Sequence, residues 1–140
     1  EIDILENRGR ISNISSSALH FGKQWNKKST LVGEALIPRQ VRFQDKFHSI
    51  SLVWKENYIA FYLDNSPDPY FTINSNHPEF KKYKYPFNRD YYMILNVAVG
   101  GKYDDYWVDF DAFCSDRACS NKENPDSHRF IIDWIEYERL

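Results

Sequence analysis

The sequence predicts an all-β domain, a sandwich or barrel of short strands. Aromatic residues make up 17% of the 140 residues, with ten Phe, ten Tyr and four Trp against one Met, a balance that favours strands over helices. Short apolar runs are separated by breaks rich in Ser, Asn and Asp, and several of them alternate at period 2. Many short strands with turn signals between them fit a sandwich or barrel. A chain of 140 residues allows one domain.

Glu1-Ile2-Asp3-Ile4-Leu5-Glu6 reads as a strand with no lead-in, so the chain is expected to be a fragment or a processed half. A polar stretch, Asn7 to Ser17, holds the tripeptide Asn13-Ile14-Ser15, which is either a glycosylation sequon or a chance match in a Ser-rich loop. Strand signals come next at Ala18–Gly22 and Leu31–Ile37. A hairpin is predicted from Phe47–Trp54 and Tyr58–Asp64 around Lys55-Glu56-Asn57, because His48, Ile50, Leu52 and Trp54 fall on one face. Phe71–Asn74 is a further short strand. Tyr91–Val99 is nearly all apolar and stops at Gly100-Gly101, as a central strand buried on both faces would. Lys102 to Arg129 reads as irregular, and Phe130–Tyr137 as a closing strand. Helix signals are confined to a turn near Pro86-Phe87-Asn88.

Composition narrows the function classes. A net charge of -2 offers no basic field for a phosphate backbone, so no nucleic-acid partner is expected. No apolar run approaches the roughly 20 residues of a membrane helix, and the chain is expected to be soluble with no membrane partner. His20, His48, His77 and His128 show no zinc-ligand spacing, and there is no nucleophile elbow, P-loop or dinucleotide fingerprint. No cofactor is expected for catalysis.

The sharpest chemical feature is the acidic start. Glu1 and Asp3 lie two apart on a strand and share a face, but strict alternation sends Glu6 to the other one. One extra residue at Ile4-Leu5, a β-bulge, resets the alternation and aligns all three acids. Glu1 and Glu6 then qualify as the paired carboxyls of a glycosidase. Crowding should lift one pKa and so create an acid beside a nucleophile. The same row would also serve as a solvated acidic strand, and spacing leaves both readings open.

Glu1-Ile2-Asp3-Ile4-Leu5-Glu6 resembles the active-site strand of glycoside hydrolase family 16, in its laminarinase-like E-x-D-x-x-E form. Asn7, Gly9 and Ala18-Leu19-His20-Phe21-Gly22 resemble the segment that comes after this strand in that family. Phe47-His48-Ser49 through Val53-Trp54, with Phe61-Tyr62-Leu63-Asp64, resembles the F-H-x-Y-x-x-x-W and W-Y-V-D-G hairpin, with Asn65 where the family has Gly. Leu95-Asn96-Val97-Ala98-Val99-Gly100-Gly101 is similar to L-N-L-A-V-G-G, and Ile132-Asp133-Trp134-Ile135-Glu136-Tyr137 to the closing V-D-Y-V-R-V-Y strand.

The resemblance implies a jelly-roll β-sandwich (concanavalin-A-like), here residues 1–140 as a single partial domain lacking the N-terminal strands. It implies Glu1 as nucleophile, Glu6 as acid/base and Asp3 as the residue that positions and tunes them, with retention of stereochemistry. The implied activity is hydrolysis of β-1,3-glucan, and the E-x-D-x-x-E spacing sets the chain apart from the lichenase and xyloglucan branches with their shorter E-x-D-x-E. A galactan hydrolase, a transglycosylase and a β-glucan-binding recognition protein of the same fold are the alternatives. The implied partner is β-glucan, with a monomeric intact parent, and the implied location is extracellular. This chain alone is expected to be inactive and poorly stable.

Other residues have more than one reading. His20 is carried over as a cleft residue near the acids, or is a structural strand histidine. Asn96 sits inside an apolar strand, where a core role is the default and its buried amide needs a hydrogen-bond partner, while the resemblance places it near the cleft. Trp107, in a loop past Gly100-Gly101, offers a face for a sugar ring or packs as ordinary loop; Trp25 is a weaker version. His48, Trp54 and Trp134 are expected to pack inside. Asp133 aligns with an acid that helps bind a structural calcium in many family members. Cys114 and Cys119 flank four residues, as a loop disulfide or as two free thiols, the disulfide being what an oxidising compartment favours.

Overall fold

The computed structural model describes residues 1–24, 26–108, 110–115 and 129–139. They fall into two units, residues 1–90 and residues 91–139. Within the first, β1 (Ile2–Asn7), β2 (Ile14–Gln24) and β3 (Lys27–Leu36) form an antiparallel sheet in that order. A second antiparallel sheet is built from β4 (Ile50–Lys55), β5 (Tyr58–Leu63) and β6 (Phe71–Asn74). The all-β class read from aromatic content and alternation is the class observed.

The inward faces of the two sheets make one aromatic-rich core of Leu19, Phe21, Ile59, Phe61, Ile73, Phe80 and Phe87. Alternation explains it: Leu19 and Phe21 are two apart on β2, Ile59 and Phe61 two apart on β5, and each pair points the same way. Phe80 arrives on a short helix, α1 (Phe80–Tyr83), and packs on Phe21 with ring centroids 4.8 Å apart. Gly33 on β3 lets the sheets close, because a Cβ there would overlap the Phe71 side chain. Trp54 packs against the core and its indole N–H donates to the Phe87 carbonyl at 2.8 Å.

The β4–β5 hairpin pairs Lys55 with Tyr58 across the predicted turn. At its far end Asp64 takes a left-handed φ of 53°, so the strained position is Asp64 and not the neighbouring Asn65, where the resemblance expects Gly. The conformation is held locally. The Ser49 N–H donates to the Asp64 carboxylate at 3.1 Å, while the buried His48 ring places Nδ1 3.0 Å from the same group. His48 therefore packs in the hairpin, as expected.

The second unit corrects the sequence reading. Residues 91–99 and 130–137, expected as a central and a closing strand, form no strand. Ile94 is 69% and Val97 67% exposed, and Trp134, expected inside, is 62% exposed. The reason is backbone pairing: no strand lies beside either segment among the described residues of that unit, and an unpaired strand surrenders its N–H and C=O groups to water. A helix that sequence reasoning missed, α2 (Phe110–Ser115), also lies here.

Candidate active site

The acidic row of β1 is built by its pairing with β2. Asp3 is opposite Ala18 and Glu6 opposite Ser16, so Ile4 and Leu5 together face the single residue Ser17. This is the bulge that alternation required, and it turns Glu6 to the side occupied by Glu1 and Asp3. Glu1 is anchored to β2 by its backbone: the His20 N–H donates to the Glu1 carbonyl at 3.0 Å, and the Glu1 amino group donates to the His20 carbonyl at 3.0 Å.

His20 stands across the ladder from Glu1 and joins the acids. Its Nε2 is 3.2 Å from the Asp3 carboxylate, and its Nδ1 is 2.8 Å from the Thr30 hydroxyl on β3. Asp3 and His20 are only about a fifth to a quarter exposed, with side-chain values of 21% and 24%. Ligand-type atoms of Glu1, Asp3 and His20 all lie within 4.8 Å of one another. Three such donors are the kind that could seat a cation.

The electrostatics match that crowding. Burial pushes the Asp3 carboxyl above its ordinary value, the neighbouring Glu1 charge adds to the rise, and His20 pulls against it. The Glu6 carboxyl is also raised, first by burial, then by the negative charges of Asp3 and Glu1, with Arg8 opposing. A raised Glu6 retains its proton to higher pH than a free glutamic acid and can deliver it to a leaving group.

The remaining sequence candidates divide by location. His20 is brought to the acids. Asn96 and Trp107 lie in the second unit, both exposed, with Asn96 lining a small cavity of about 260 Å³ with Leu95, Val97, Arg129 and Phe130. The expectation of a buried Asn96 in an apolar strand is corrected, because that strand is not formed. Asp133 is exposed and belongs to no cluster of three His, Cys, Asp or Glu ligands among the described residues. Cys114 is disulfide-bonded. Cys119 and Trp25 lie outside the described residues. Thr30 was missed by the sequence reading, and its signal was only its register opposite His20.

Two packed antiparallel sheets, one carrying a row of crowded carboxyl groups beside a histidine, define a β-sandwich protein with an acid-lined sheet face. The chain belongs to glycosyl hydrolases family 16, whose family profile matches residues 1–111. It is 34% identical over 111 residues to the glucan endo-1,3-beta-glucosidase A1 of Niallia circulans, a match covering 74% of this chain and 16% of that protein. It is 30% identical over 106 residues to the glucan endo-1,3-beta-glucosidase of Cryptopygus antarcticus, covering 74% of this chain and 38% of the relative. A beta-1,3-glucan-binding protein of Penaeus monodon is 31% identical over 121 residues, covering 72% and 33%. The chain thus spans well under half the length of these relatives. No solved structure matches it significantly.

Proposed function

We propose that this chain carries the catalytic strand of a retaining endo-acting β-1,3-glucanase. The observation that carries the proposal is the bulge, which brings Glu1, Asp3 and Glu6 to one face and leaves the Asp3 and Glu6 carboxyls raised. In the first step the Glu1 carboxylate attacks the anomeric carbon while Glu6 gives its proton to the departing glycosidic oxygen. In the second, Glu6 takes a proton from water, the water oxygen attacks the anomeric carbon, and the bond to Glu1 breaks. Asp3, held by His20, keeps negative charge beside both groups and sustains the proton affinity of Glu6. The disulfide at Cys114 suits a secreted enzyme.

The test is reducing-sugar release from laminarin, mixed-linkage glucan and agarose by the intact protein, with Glu1→Gln as control. Release confined to laminarin and lost in the variant supports the reading. Release from agarose alone would move the substrate to a galactan. The similarity to a glucan-binding protein favours one alternative, recognition without cleavage. Binding of laminarin with no release by wild type would establish that alternative, which has no use for both Glu1 and Glu6.

A further inference from the structure

The bulge that aligns the carboxyl groups creates a backbone problem. Two residues, Ile4 and Leu5, face one, Ser17, so the ladder cannot satisfy every carbonyl of β1. Three serines of β2 sit beside it. The Ser17 hydroxyl donates to the Ile4 carbonyl at 2.7 Å, and the Ser15 and Ser16 hydroxyls reach the Glu6 carbonyl at 3.3 and 3.4 Å. Ser17 is fully buried and is the strongest of these contacts.

Ser17 is also tied to the opposite sheet. Its oxygen is 2.6 Å from the hydroxyl of Tyr70, which lies just before β6 and is fixed by its own N–H donating to the Phe61 carbonyl at 2.9 Å. The direction of the chain is fixed by proton counting. A carbonyl only accepts, so the single Ser17 proton goes to Ile4, and the Tyr70 hydroxyl must donate to Ser17. The result is a one-way relay, Tyr70 O–H to Ser17 O–H to Ile4 C=O, running from the second sheet through the core to the bulge.

We propose that Tyr70 and Ser17 are positioning residues that lock the bulge in place and thereby aim Glu6 at the same sugar as Glu1. The inference rests on the glucanase reading for its catalytic consequence, but the bracing itself does not depend on it. Glu1 and Asp3 are held by regular pairing to β2, with Ile2 opposite Leu19 and Asp3 opposite Ala18. Glu6 comes after the irregularity, so its direction depends on where the extra residue is stored. Loss of the brace lets the bulge migrate along β1, which misdirects Glu6 more than Glu1.

The experiment compares wild type, Ser17→Ala and Tyr70→Phe in the intact protein on two substrates. Laminarin needs the acid; a dinitrophenyl laminaribioside has a leaving group that departs without it, and its kcat/KM reports the first step. Ser17→Ala is expected to lower kcat on laminarin about tenfold, with KM within about twofold, because small misplacements of a catalytic group are costly. Tyr70→Phe should lose about threefold to fivefold, the worth of one hydrogen bond. Both variants should keep kcat/KM on the dinitrophenyl substrate within about twofold of wild type.

Equal losses on the two substrates, or no loss on either, would overturn the proposal. Amide exchange supplies a readout free of activity: Leu5 and Glu6 should exchange faster in both variants while β5 stays protected. Unchanged exchange at Leu5 and Glu6 would also overturn it. Should wild type cleave neither substrate, the glucanase reading fails, and the exchange data still decide the brace. Should Ser17→Ala not fold, the isosteric Tyr70→Phe carries the same comparison.

Discussion

Strand β5 and residues 91–99 carry comparable runs of Ile, Leu, Ala and aromatic residues, yet they end in different environments. Ile59, Ala60 and Phe61 are fully buried, whereas Ile94 and Val97 are about two-thirds exposed, at 69% and 67%. The difference lies at the edges. β5 has β4 on one side and β6 on the other, so its backbone groups are paired and its inward residues are covered by β2 and α1 side chains. Residues 91–99 have no strand alongside among the described residues of their unit. Apolarity supplies the reason to be buried, but paired edges supply the place.

The largest test of that contrast removes side chains from each region. Phe61→Ala should cost about 3–5 kcal/mol of stability in urea denaturation, enough to unfold the first unit, while Ile94→Ala should cost less than about 0.5 kcal/mol. A cost above about 2 kcal/mol at Ile94 would break the comparison and reveal a paired strand. Next in size is Gly33→Ala, whose added methyl must displace Phe71 and part the two sheets, at about 1–3 kcal/mol. Trp54→Phe leaves the buried Phe87 carbonyl without its indole donor and should cost about 1–2 kcal/mol, whereas Trp134→Phe should stay within about 0.5 kcal/mol.

The smallest effect has the opposite sign. The Glu6 carboxyl is raised by burial and by neighbouring negative charge, so the folded chain binds this proton more tightly than the unfolded chain. Below about pH 4 the group is protonated in both states and contributes nothing. As the pH climbs, the unfolded chain ionises first, and the folded state loses stability until the raised value is passed. Glu6→Gln should therefore raise the melting temperature near neutral pH by about 1–2 °C, with the gain vanishing in acid. A melting curve lowered by the substitution at pH 7 would contradict the direction.

The second sheet is readable because its strands are short apolar runs bounded by turn residues: β5 begins at Tyr58, where the apolar run begins, and β6 coincides with Phe71–Asn74. The bulge was legible too, from parity among Glu1, Asp3 and Glu6. The β2–β3 hairpin was read only in part, because Ser15 and Ser17 occupy inward positions that a polarity pattern assigns to solvent. Their hydroxyls face backbone carbonyls and a tyrosine, partners that no local pattern displays. On β3 the inward row includes Ser29, Gly33 and Ala35 while Val32 and Leu36 face out, which reverses the usual signal. The error at residues 91–99 and 130–137 was of another kind: composition records what a strand would bury, and neighbours decide whether it forms.

The bulge has one more consequence, which concerns insertion and deletion. Removing a single residue from a half-buried strand normally reverses every side chain beyond the cut. Removing either Ile4 or Leu5 would leave Asp3 and Glu6 two positions apart, on the same face with no irregularity between them. The stretch between these acids is thus one of the few places in a sheet where chain length can change by one without exchanging inside for outside, provided the serines opposite no longer have a displaced carbonyl to hold.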